Sequence, residues 1–383
     1  MKIILFTDTI GDLNGVSRFL QDMAELSLDR EDDLCIVTST NKYCPPGENI
    51  YNFTPRFRIP MPFYKELDLA FPCRSIMEDF VNENKPDLIH ISTPGPVGLA
   101  GRSIAKKLGI PMLGTYHTDF PAYIRDNTGL EVLKKLTDRW MRYFYRPFVH
   151  VFSRSEIYGD IMQKDIGISI DKISYIRPGT NLERFSSRHI KEGVWASYGV
   201  RESSVKVLYV GRMTKEKNIP FLLDVWTFLK QSYPQLNAEL IMVGEGNQQG
   251  RALEMRSIGV HHLGPVVGEE LSIIYASSDL FVFPSVTDTL GQVVMESAAS
   301  ALPIIVSTVG GPKSLINLHP RSGYALDIVV RTWVEHISLL VENKELRHAL
   351  GESGQSHMQA FSIENSYEDF IGVHKDYFNG IRG

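Results

Sequence analysis

The segment from Phe281 to Pro312 constrains the fold more than any other part of this sequence. An apolar run, Leu280–Phe283, ends at a proline and is followed by a small polar loop and a glycine, Gly291. The apolar and small residues of Val293–Ala301 then predict a helix, and Pro303–Ser307 predicts a second strand. A strand, loop, helix and strand within about thirty residues form one parallel crossover, so the sequence predicts a parallel sheet covered by helices.

The loop of this crossover is a candidate ligand site. Ligands of open parallel sheets bind at the carboxyl ends of strands, and a helix that starts near Gly291 directs unpaired N–H groups and its positive dipole end to the same place. An anion is the ligand that such a helix end favours. Asp288 precedes the helix and Glu296 lies within it. The alternative is structural: Asp288 caps the helix, and Glu296 is an ordinary exposed helical residue.

The rest of the chain repeats the alternation of strands and helices. With 383 residues and 43% hydrophobic content, the chain is too long for one ordinary core and predicts two domains. The alternation predicts two Rossmann-like, doubly wound α/β domains with parallel sheets. We expect the first domain to span residues 1–185 and the second to span residues 200–365, with a linker between 181 and 202.

Composition excludes several classes of function. The net charge of −5 and the pI near 6.1 argue against general nucleic-acid binding. Three widely spaced cysteines, Cys35, Cys44 and Cys73, lack a C-x-x-C pattern and favour neither a disulfide framework nor a zinc site, as expected of a reducing cytoplasm. The apolar run at the start of the chain is too short for a signal peptide or a membrane span, and it is typical of a buried first strand.

Two strand ends of the first domain carry candidate site residues. The first strand runs into a loop with Asn14 and Gly15, followed by a helix from Val16; a plain turn is the alternative there. Another strand, from Met112 to Thr115, is followed by Tyr116, His117 and Asp119. Its position at a carboxyl end favours a site role for His117. A packed or capping histidine remains the alternative, and Asp119 could cap the next helix.

The second domain opens with a strand that ends in the run Gly211–Asn218. Arg212 and Lys217 lie between that strand and a helix. Two cations suit a diphosphate, because a guanidinium forks onto two oxygens and an ammonium supplies a point charge. A solvated charge cluster is the alternative. The next strand ends in Gly244, Glu245 and Gly246, where the missing side chains let backbone approach a ligand.

Residues 130–147 predict an amphipathic helix with a basic stripe. The stripe consists of Lys135, Arg139, Arg142 and Arg146, and a separate apolar face contains Leu133, Leu136, Trp140 and Phe144. One interpretation is a helix that packs its apolar face on the core and exposes its basic face to solvent. Docking on an anionic membrane surface or on a phosphorylated acceptor is the other.

These motifs, taken together, resemble the retaining nucleotide-sugar glycosyltransferases of family four, which have the GT-B fold. That family's donor-binding signature is a glutamate, seven residues and a second glutamate, with a Phe-Gly or Leu-Gly pair between them. The chain matches it with Asp288, Thr289, Leu290, Gly291 and Glu296. The first acid departs from the pattern: aspartate is one methylene shorter, so it must approach the sugar more closely or act through water.

The resemblance implies a role for each matching residue. It predicts two Rossmann-like domains facing a cleft, with a final helix, residues 366–383, returning to the first domain. His117, Arg212, Lys217 and Asp288 would be catalytic, and Tyr116 and Asp119 would bind the acceptor. The donor would be bound by Asn14, Gly15, Val16, Gly211, Gly244, Glu245, Val266, Thr289, Leu290, Gly291 and Glu296.

The activity implied is transfer of a hexose from a UDP- or GDP-linked sugar to a hydroxyl acceptor, a lipid or glycan, with retention of configuration. The nucleotide sugar is a co-substrate, and no cofactor or metal is expected. The sequence has no Asp-x-Asp motif, which a metal-dependent transferase would carry. A sugar-nucleotide epimerase of the same fold and a non-catalytic nucleotide-sugar binder are the alternatives. We expect a cytoplasmic protein, peripheral to the inner face of a membrane, and the oligomeric state is left open.

Overall fold

The structure is a computed structural model that describes residues 1–12, 15–61, 64–117, 119–288 and 290–382. The chain divides into two compact units. The first comprises Met1–Pro178 and Glu364–Gly383, and the second comprises Gly179–Ile363. Residues 179–185, which we expected in the first domain, therefore lie in the second unit, where Thr180 bridges to Ser362.

The first unit is a parallel sheet covered by helices. Its strands are β1 (Lys2–Phe6), β2 (Asp33–Thr38), β3 (Ile50–Asn52), β4 (Phe57–Met61), β5 (Tyr64–Phe71), β6 (Leu88–Ile91), β7 (Met112–Tyr116), β8 (His150–Ser153) and β9 (Ile173–Tyr175). Within the described ranges, seven strands pair in parallel in the order β3-β2-β1-β6-β7-β8-β9. The helices are α1 (Gly15–Asp29), α2 (Arg74–Asn84), α3 (Pro96–Leu108), α4 (Phe120–Thr128), α5 (Glu131–Tyr145) and α6 (Glu156–Ile161).

The second unit repeats this plan. Its strands are β10 (Val205–Val210), β11 (Ala238–Val243), β12 (Val260–Gly264), β13 (Leu280–Phe283), β14 (Ile304–Ser307) and β15 (Gly323–Leu326). Over the described residues they pair in parallel in the order β12-β11-β10-β13-β14-β15. The helices are α7 (Ile219–Ser232), α8 (Gln249–Glu254), α9 (Gly268–Ala276), α10 (Gln292–Ala299), α11 (Val330–Glu342) and α12 (Lys344–Met358).

Short turns complete the two units. Residues Met162–Ile166 form a π-helical turn, and 3₁₀ turns span Ile170–Lys172, Ser187–His189, Trp195–Tyr198, Arg256–Ile258, Pro312–Leu315 and Gln359–Phe361. The inner strands of both sheets, such as β1, β6, β10 and β13, are buried on both faces, which is why they are continuous apolar runs rather than alternating ones. The two parallel sheets confirm the predicted fold class.

The last helix, α13 (Ile363–Arg382), belongs mostly to the first unit. The hydroxyl of Tyr367 donates a hydrogen bond of 2.8 Å to the Asp32 carboxylate. The Nε2 atom of His374 lies 3.0 Å from the Nδ1 atom of His90. Both histidines are fully buried. Arg177, just before the end of the first stretch of this unit, forms a two-pronged bond to Asp369, at 2.7 and 2.8 Å.

The sequence from residue 67 to residue 83 has helical spacing and predicts a helix there, and this prediction is wrong for its first part. Residues 67–71 belong to β5, and the helix α2 begins only at Arg74. β5 pairs antiparallel with β4, separately from the parallel sheet. The alternation of Leu67, Leu69 and Phe71 is the strand signal, and Pro72 separates it from the helical pattern that follows.

Candidate functional site

Both units gather polar residues at the carboxyl ends of neighbouring parallel strands. In the second unit, β10 pairs with β11 and with β13, and β13 pairs with β14. The loops that follow these four strands contain most of the residues selected from the sequence. Residue Thr289, one of them, lies outside the described residues.

A tight turn at Gly291 sets the start of helix α10. Gly291 has a φ of 83°, and a Cβ placed on it would lie 3.0 Å from the ring of Pro312. It occupies the cap position without a side-chain hydrogen bond, and the helix begins at Gln292. Asp288 therefore does not cap this helix, and the structural alternative for that residue is excluded. Leu290 is half-buried and packs on the core.

Asp288 instead forms an ion pair with Lys217. The ammonium nitrogen of Lys217 lies 2.7 and 2.8 Å from the two carboxylate oxygens. The side chains are only 14% and 20% exposed. Burial alone would raise the pKa of Asp288, but Lys217, with smaller contributions from Ser285 and Arg212, holds it below its ordinary value. The Asp288 carboxylate is therefore ionised at neutral pH.

The backbone of Asp288 is also fixed by the loop after β14. Gly311 donates its N–H to the carbonyl of Asp288 over 2.8 Å. Gly310 has a φ of 92°, and a Cβ there would come within 2.7 Å of the same carbonyl oxygen. The Gly-Gly-Pro sequence is therefore needed for this close approach, and it holds the carboxylate in place.

Glycines also join the loops after β10 and β11. A Cβ on Gly244 would lie 2.1 Å from the carbonyl oxygen of Gly211, and one on Gly246 would lie 2.4 Å from that of Met213. Met213 donates its N–H to Glu245 over 2.7 Å. The missing side chains of these glycines thus let one loop's backbone approach the other's. The sequence had instead predicted that they let the backbone approach a ligand. The Glu245 side chain is exposed.

Arg212 and Glu296 complete the second cluster. The guanidinium of Arg212 forms an ion pair with Glu216, four residues later in the same loop, and the Arg212 side chain is 30% exposed. Glu296 is 4% exposed and accepts a hydrogen bond of 2.9 Å from the hydroxyl of Tyr275. This burial excludes the alternative of an ordinary exposed residue. Val266 lies just beyond β12, half-buried against the core.

In the first unit, polar residues follow four strands that are adjacent in the sheet. These residues are Asp8 after β1, Ser92 after β6, His117 after β7 and Arg154 after β8. His117 places its Nε2 3.0 Å from the Ser92 hydroxyl, and its ring meets Phe19 edge-on. Burial, and secondly the charge of Arg154, lower the pKa of His117 to about 3. The imidazole is therefore neutral at physiological pH.

Arg154 was missed by the sequence analysis. Its guanidinium carbon lies 4.4 Å from the centre of the Phe19 ring, a cation–π contact. Burial lowers the pKa of Arg154 to about 10, and the nearby Asp22 opposes this. The group stays charged. Its position directly after a predicted strand was the one available signal.

Asp8 was missed as well. Its carboxylate accepts hydrogen bonds from the Thr93 hydroxyl over 2.6 Å and from the Val97 N–H over 2.8 Å, at the start of helix α3. A Cβ on Gly95 would lie within 2.7 Å of this carboxylate. Burial raises the pKa of Asp8 to about 6, although these hydrogen bonds oppose it. Asp8 connects β1 to α3.

The predicted acceptor residues have structural contacts. Tyr116 is fully buried, and its hydroxyl donates to Asp119 over 3.2 Å. Asp119 also accepts from the Ala122 N–H and so caps helix α4, as the alternative proposed. Burial raises the pKa of Asp119. Among the predicted phosphate contacts, Gly15 and Val16 open helix α1, whereas Asn14 lies outside the described residues.

Helix α5 presents an apolar stripe to solvent, which we call the α5 surface. Val132, Leu136, Trp140 and Tyr143 are 69%, 54%, 38% and 61% exposed. The exposed cations Lys135, Arg139, Arg142 and Arg146 flank them. The apolar face predicted to be single is therefore divided: Phe144 packs into the core, while Leu136 and Trp140 face solvent. Arg142 is held by the carbonyls of Ile166 and Asp165.

Within the described ranges, no helix is long and apolar enough to cross a membrane. In the same part of the chain, no group of three or more His, Cys, Asp or Glu side chains is arranged to hold a metal ion.

Comparison with known proteins gives matches to both units. Residues 13–184 match the family model described as Glycosyltransferase Family 4, and residues 204–343 match Glycosyl transferases group 1.

The chain is 28% identical to a GDP-mannose-dependent alpha-mannosyltransferase of Mycobacterium tuberculosis, over 82% of this chain and 81% of that protein. It is 27% identical to the alpha-monoglucosyldiacylglycerol synthase of Streptococcus pneumoniae, over 80% and 70%. The structure of Anabaena HepE in complex with UDP and glucose superposes with a TM-score of 0.74 at 17% identity, covering 98% of this chain and 99% of that one.

Proposed function

The chain belongs to glycosyltransferase family 4 and has the GT-B fold, and we propose that it transfers a hexose from a UDP- or GDP-linked sugar to a hydroxyl of a lipid or glycan with retention of configuration. One observation carries this proposal. The Lys217–Asp288 ion pair, beside Arg212, lies at the carboxyl ends of two adjacent strands, where a nucleotide sugar binds in a doubly wound sheet.

In this proposal the second unit binds the donor. Arg212 and Lys217 neutralise the charge that grows on the departing diphosphate, a form of preorganised electrostatics that often supplies the largest part of catalysis. The N-terminus of α10, which follows the cap residue Gly291, adds its N–H groups. Two fixed cations make the reaction independent of a metal ion. When the diphosphate binds, Lys217 is shared between it and Asp288.

The remaining donor contacts follow the family pattern. Glu296 accepts hydrogen bonds from the ribose, and Asp288 contacts the sugar hydroxyls. The backbone of Gly211, Gly244 and Glu245, together with Val266 and Leu290, borders the nucleoside and the phosphates. The family pattern also assigns Asn14, Gly15 and Val16 to the donor phosphates.

His117 contacts the sugar in its neutral form. With its pKa lowered to about 3, it acts through hydrogen bonds and carries no charge at neutral pH. We assign no residue as general base, because the leaving phosphate can accept the acceptor proton on the same face. Tyr116 and Asp119 shape the acceptor side of the strand end rather than exchange protons, since both are already engaged in hydrogen bonds within the chain.

The acceptor side is proposed to dock on a membrane. The α5 surface joins exposed apolar residues to cations, and amphipathic helices of this composition bind anionic lipid headgroups. A relative named for the synthesis of a glucosyldiacylglycerol supports a lipid acceptor. We propose that the protein is cytoplasmic and acts at the inner face of a membrane.

Donor binding and turnover test the proposal. UDP-, GDP- and ADP-sugars are screened by thermal shift, and the matching donor is incubated with diacylglycerol or glycan acceptors. We expect a glycoside whose anomeric configuration, read by NMR, equals that of the donor. An inverted product would exclude retention. Epimerised donor formed without acceptor would support the epimerase, and binding without turnover would support the non-catalytic binder.

Vesicle sedimentation tests the membrane contact. The double variant Leu136→Ala with Trp140→Ala should bind vesicles of phosphatidylglycerol about tenfold more weakly, because apolar burial adds to electrostatic attraction. Leu339→Ala removes an exposed leucine, 43% accessible, from helix α11 and serves as the control. Equal binding by both variants, or equal binding to neutral vesicles, would contradict the membrane role.

A further inference from the structure

The guanidinium group of Arg154 has a hydrogen-bonding edge without a partner. Its Nε and Nη2 atoms are buried, and neither has a hydrogen bond among the residues that the structure describes. The face of the group lies on Phe19. Buried polar groups in native proteins are almost always paired, and a charged one is costly to leave unpaired. The unpaired edge therefore calls for a partner beyond the residues that the structure describes.

The chemistry of that edge is specific. Nε–H and Nη2–H project side by side, so together they can bind two oxygens of one carboxylate or phosphate. Other arginines of the first unit use the same two atoms. Arg177 binds both oxygens of Asp369 at 2.7 and 2.8 Å. Arg102 and Arg142 use theirs on pairs of backbone carbonyls. Arg154 has the same fork, fixed in place by an aromatic ring, but unoccupied.

The location of the fork points to a substrate. Arg154 directly follows β8, and β8 pairs with β7, whose end carries His117. Phe19 contacts both the His117 ring and the Arg154 guanidinium. Asp22, on the same helix as Phe19, acts on Arg154 electrostatically but leaves Nε and Nη2 unpaired. The unpaired fork therefore belongs to the strand-end cluster around His117.

We propose that Arg154 binds an anionic group, a phosphate or a carboxylate, that the acceptor carries near the hydroxyl to be glycosylated. This inference rests on the proposed function, since it specifies the acceptor of the same transfer. The donor diphosphate already has its cations in Arg212 and Lys217. Arg154 is then a specificity residue for an acidic acceptor, such as a phosphorylated polyol or the phosphate of a phospholipid headgroup.

The test compares charged and neutral acceptors in the full-length protein saturated with UDP or GDP, so that the donor phosphate site is filled. Binding of glycerol 1-phosphate, inorganic phosphate and glycerol is measured by calorimetry. Phosphatidylglycerol and diacylglycerol vesicles are compared in transfer assays, which separates a lipid source of the phosphate from a soluble one. We expect the wild type to bind or use the phosphorylated member of each pair preferentially.

Three variants make the result specific. Arg154→Met should weaken phosphate binding about 10- to 100-fold, the loss expected for a two-pronged charge-assisted bond. Arg154→Lys keeps the charge without the fork and should give an intermediate loss. Arg74→Met removes an arginine of the first unit whose side chain is 48% exposed, and it should match the wild type. Should Arg154→Met fold poorly, Arg154→Lys still decides the matter.

Other outcomes overturn the inference. Equal binding of glycerol 1-phosphate by wild type and Arg154→Met, or no binding by the wild type, would do so. A preference for neutral acceptors would also do so. If Arg154→Met instead impairs only donors whose sugar is acidic, the anion belongs to the donor. Failure of the proposed function differs from all of these, because then no acceptor is glycosylated and neither UDP nor GDP binds.

Discussion

The two strand-end clusters handle buried charge in opposite ways. In the second unit, Lys217 and Asp288 neutralise each other across two adjacent strands. In the first unit, Arg154 lies on an aromatic ring with its fork unpaired, beside the neutral His117. A paired cation can be shared with an incoming anion while its own partner keeps it in position. An unpaired fork gains a partner only when the anion arrives, so its contribution to binding depends on the ligand's charge.

The largest effect should follow from removing the cation of the paired cluster. Lys217→Met leaves Asp288 without its partner and removes one of the two cations proposed for the leaving diphosphate, so we expect kcat to fall about 100- to 1000-fold, as when one preorganised donor is lost. Steady-state transfer assays measure this. Lys215→Met changes an exposed lysine of the same loop and should retain activity. More than a tenth of wild-type activity in Lys217→Met would show that the pair does not serve the leaving group.

Removing the anion of the pair should have a smaller effect. Asp288→Asn leaves Lys217 without a charged partner, so the free energy of unfolding should fall by up to about 3 kcal/mol. Breaking a buried pair costs about 3 to 5 kcal/mol, and the loss here is at the lower end because both side chains keep some exposure. Saturating UDP or GDP should restore much of this stability, because the diphosphate replaces the missing anion. Calorimetric melting with and without nucleotide measures both effects.

A surface ion pair provides the matched control for this experiment. Asp224, 55% exposed, pairs with Arg251 on neighbouring helices, and exposed pairs contribute at most about 1 kcal/mol. Asp224→Asn should therefore change the melting temperature little, with or without nucleotide. A loss of stability in Asp288→Asn that nucleotide does not reduce would separate the pair from phosphate binding.

Sequence reasoning identified Lys217 and Asp288 separately but not their ion pair. The two residues are 71 positions apart, and only the register of β10 against β13 brings them together. The repeated strand and helix patterns were sufficient to predict the fold, because buried parallel strands consist of continuous apolar residues. Arg154 was missed since one arginine after a strand resembles any surface residue. Whether its fork is paired depends on Phe19 and the neighbouring strands, which no local pattern specifies.

Local pattern also misled where tertiary contacts decide. The α5 helix was given one apolar face, yet Trp140 is 38% exposed and Phe144 is buried. The two rings stack at 5.6 Å, so periodicity cannot tell which of them reaches the core. Asp119 shows the opposite case, because its predicted capping alternative is what the structure contains.

The two clusters should also differ in how their contributions to stability change as the pH is lowered. The unfolded chain protonates His117 near the ordinary pKa of 6.5, whereas the folded imidazole has a pKa of about 3. Its stabilising contribution is therefore complete above pH 6.5 and declines as the pH falls towards 3. Between pH 7 and pH 4.5 the loss should reach about 2 to 3 kcal/mol. The pKa of Asp288 is lowered from 3.8, so its contribution persists throughout that range and is lost only below it.

Urea unfolding across this pH range measures the difference. His117→Gln should lose less stability on acidification than the wild type, while Asp288→Asn should follow the wild-type slope from a lower starting point. His348→Gln, an exposed histidine on helix α12, is the control and should also follow the wild type. An unchanged slope in His117→Gln would mean that the imidazole is protonated near its ordinary pKa in the folded protein.

The smallest effect concerns the coupling between Arg154 and His117. Burial is the larger cause of the lowered pKa of His117, and the charge of Arg154 is the second. Arg154→Met should therefore raise the pKa of His117 without restoring its ordinary value. Histidine NMR titration measures this shift, with Arg74→Met as the control that should leave it unchanged. A phosphate bound at the fork would offset the same charge, so glycerol 1-phosphate should raise the pKa in the wild type but not in Arg154→Met. If the ligand shifts both proteins equally, the anion is bound elsewhere, and the first cluster would lose the role that distinguishes it from the second.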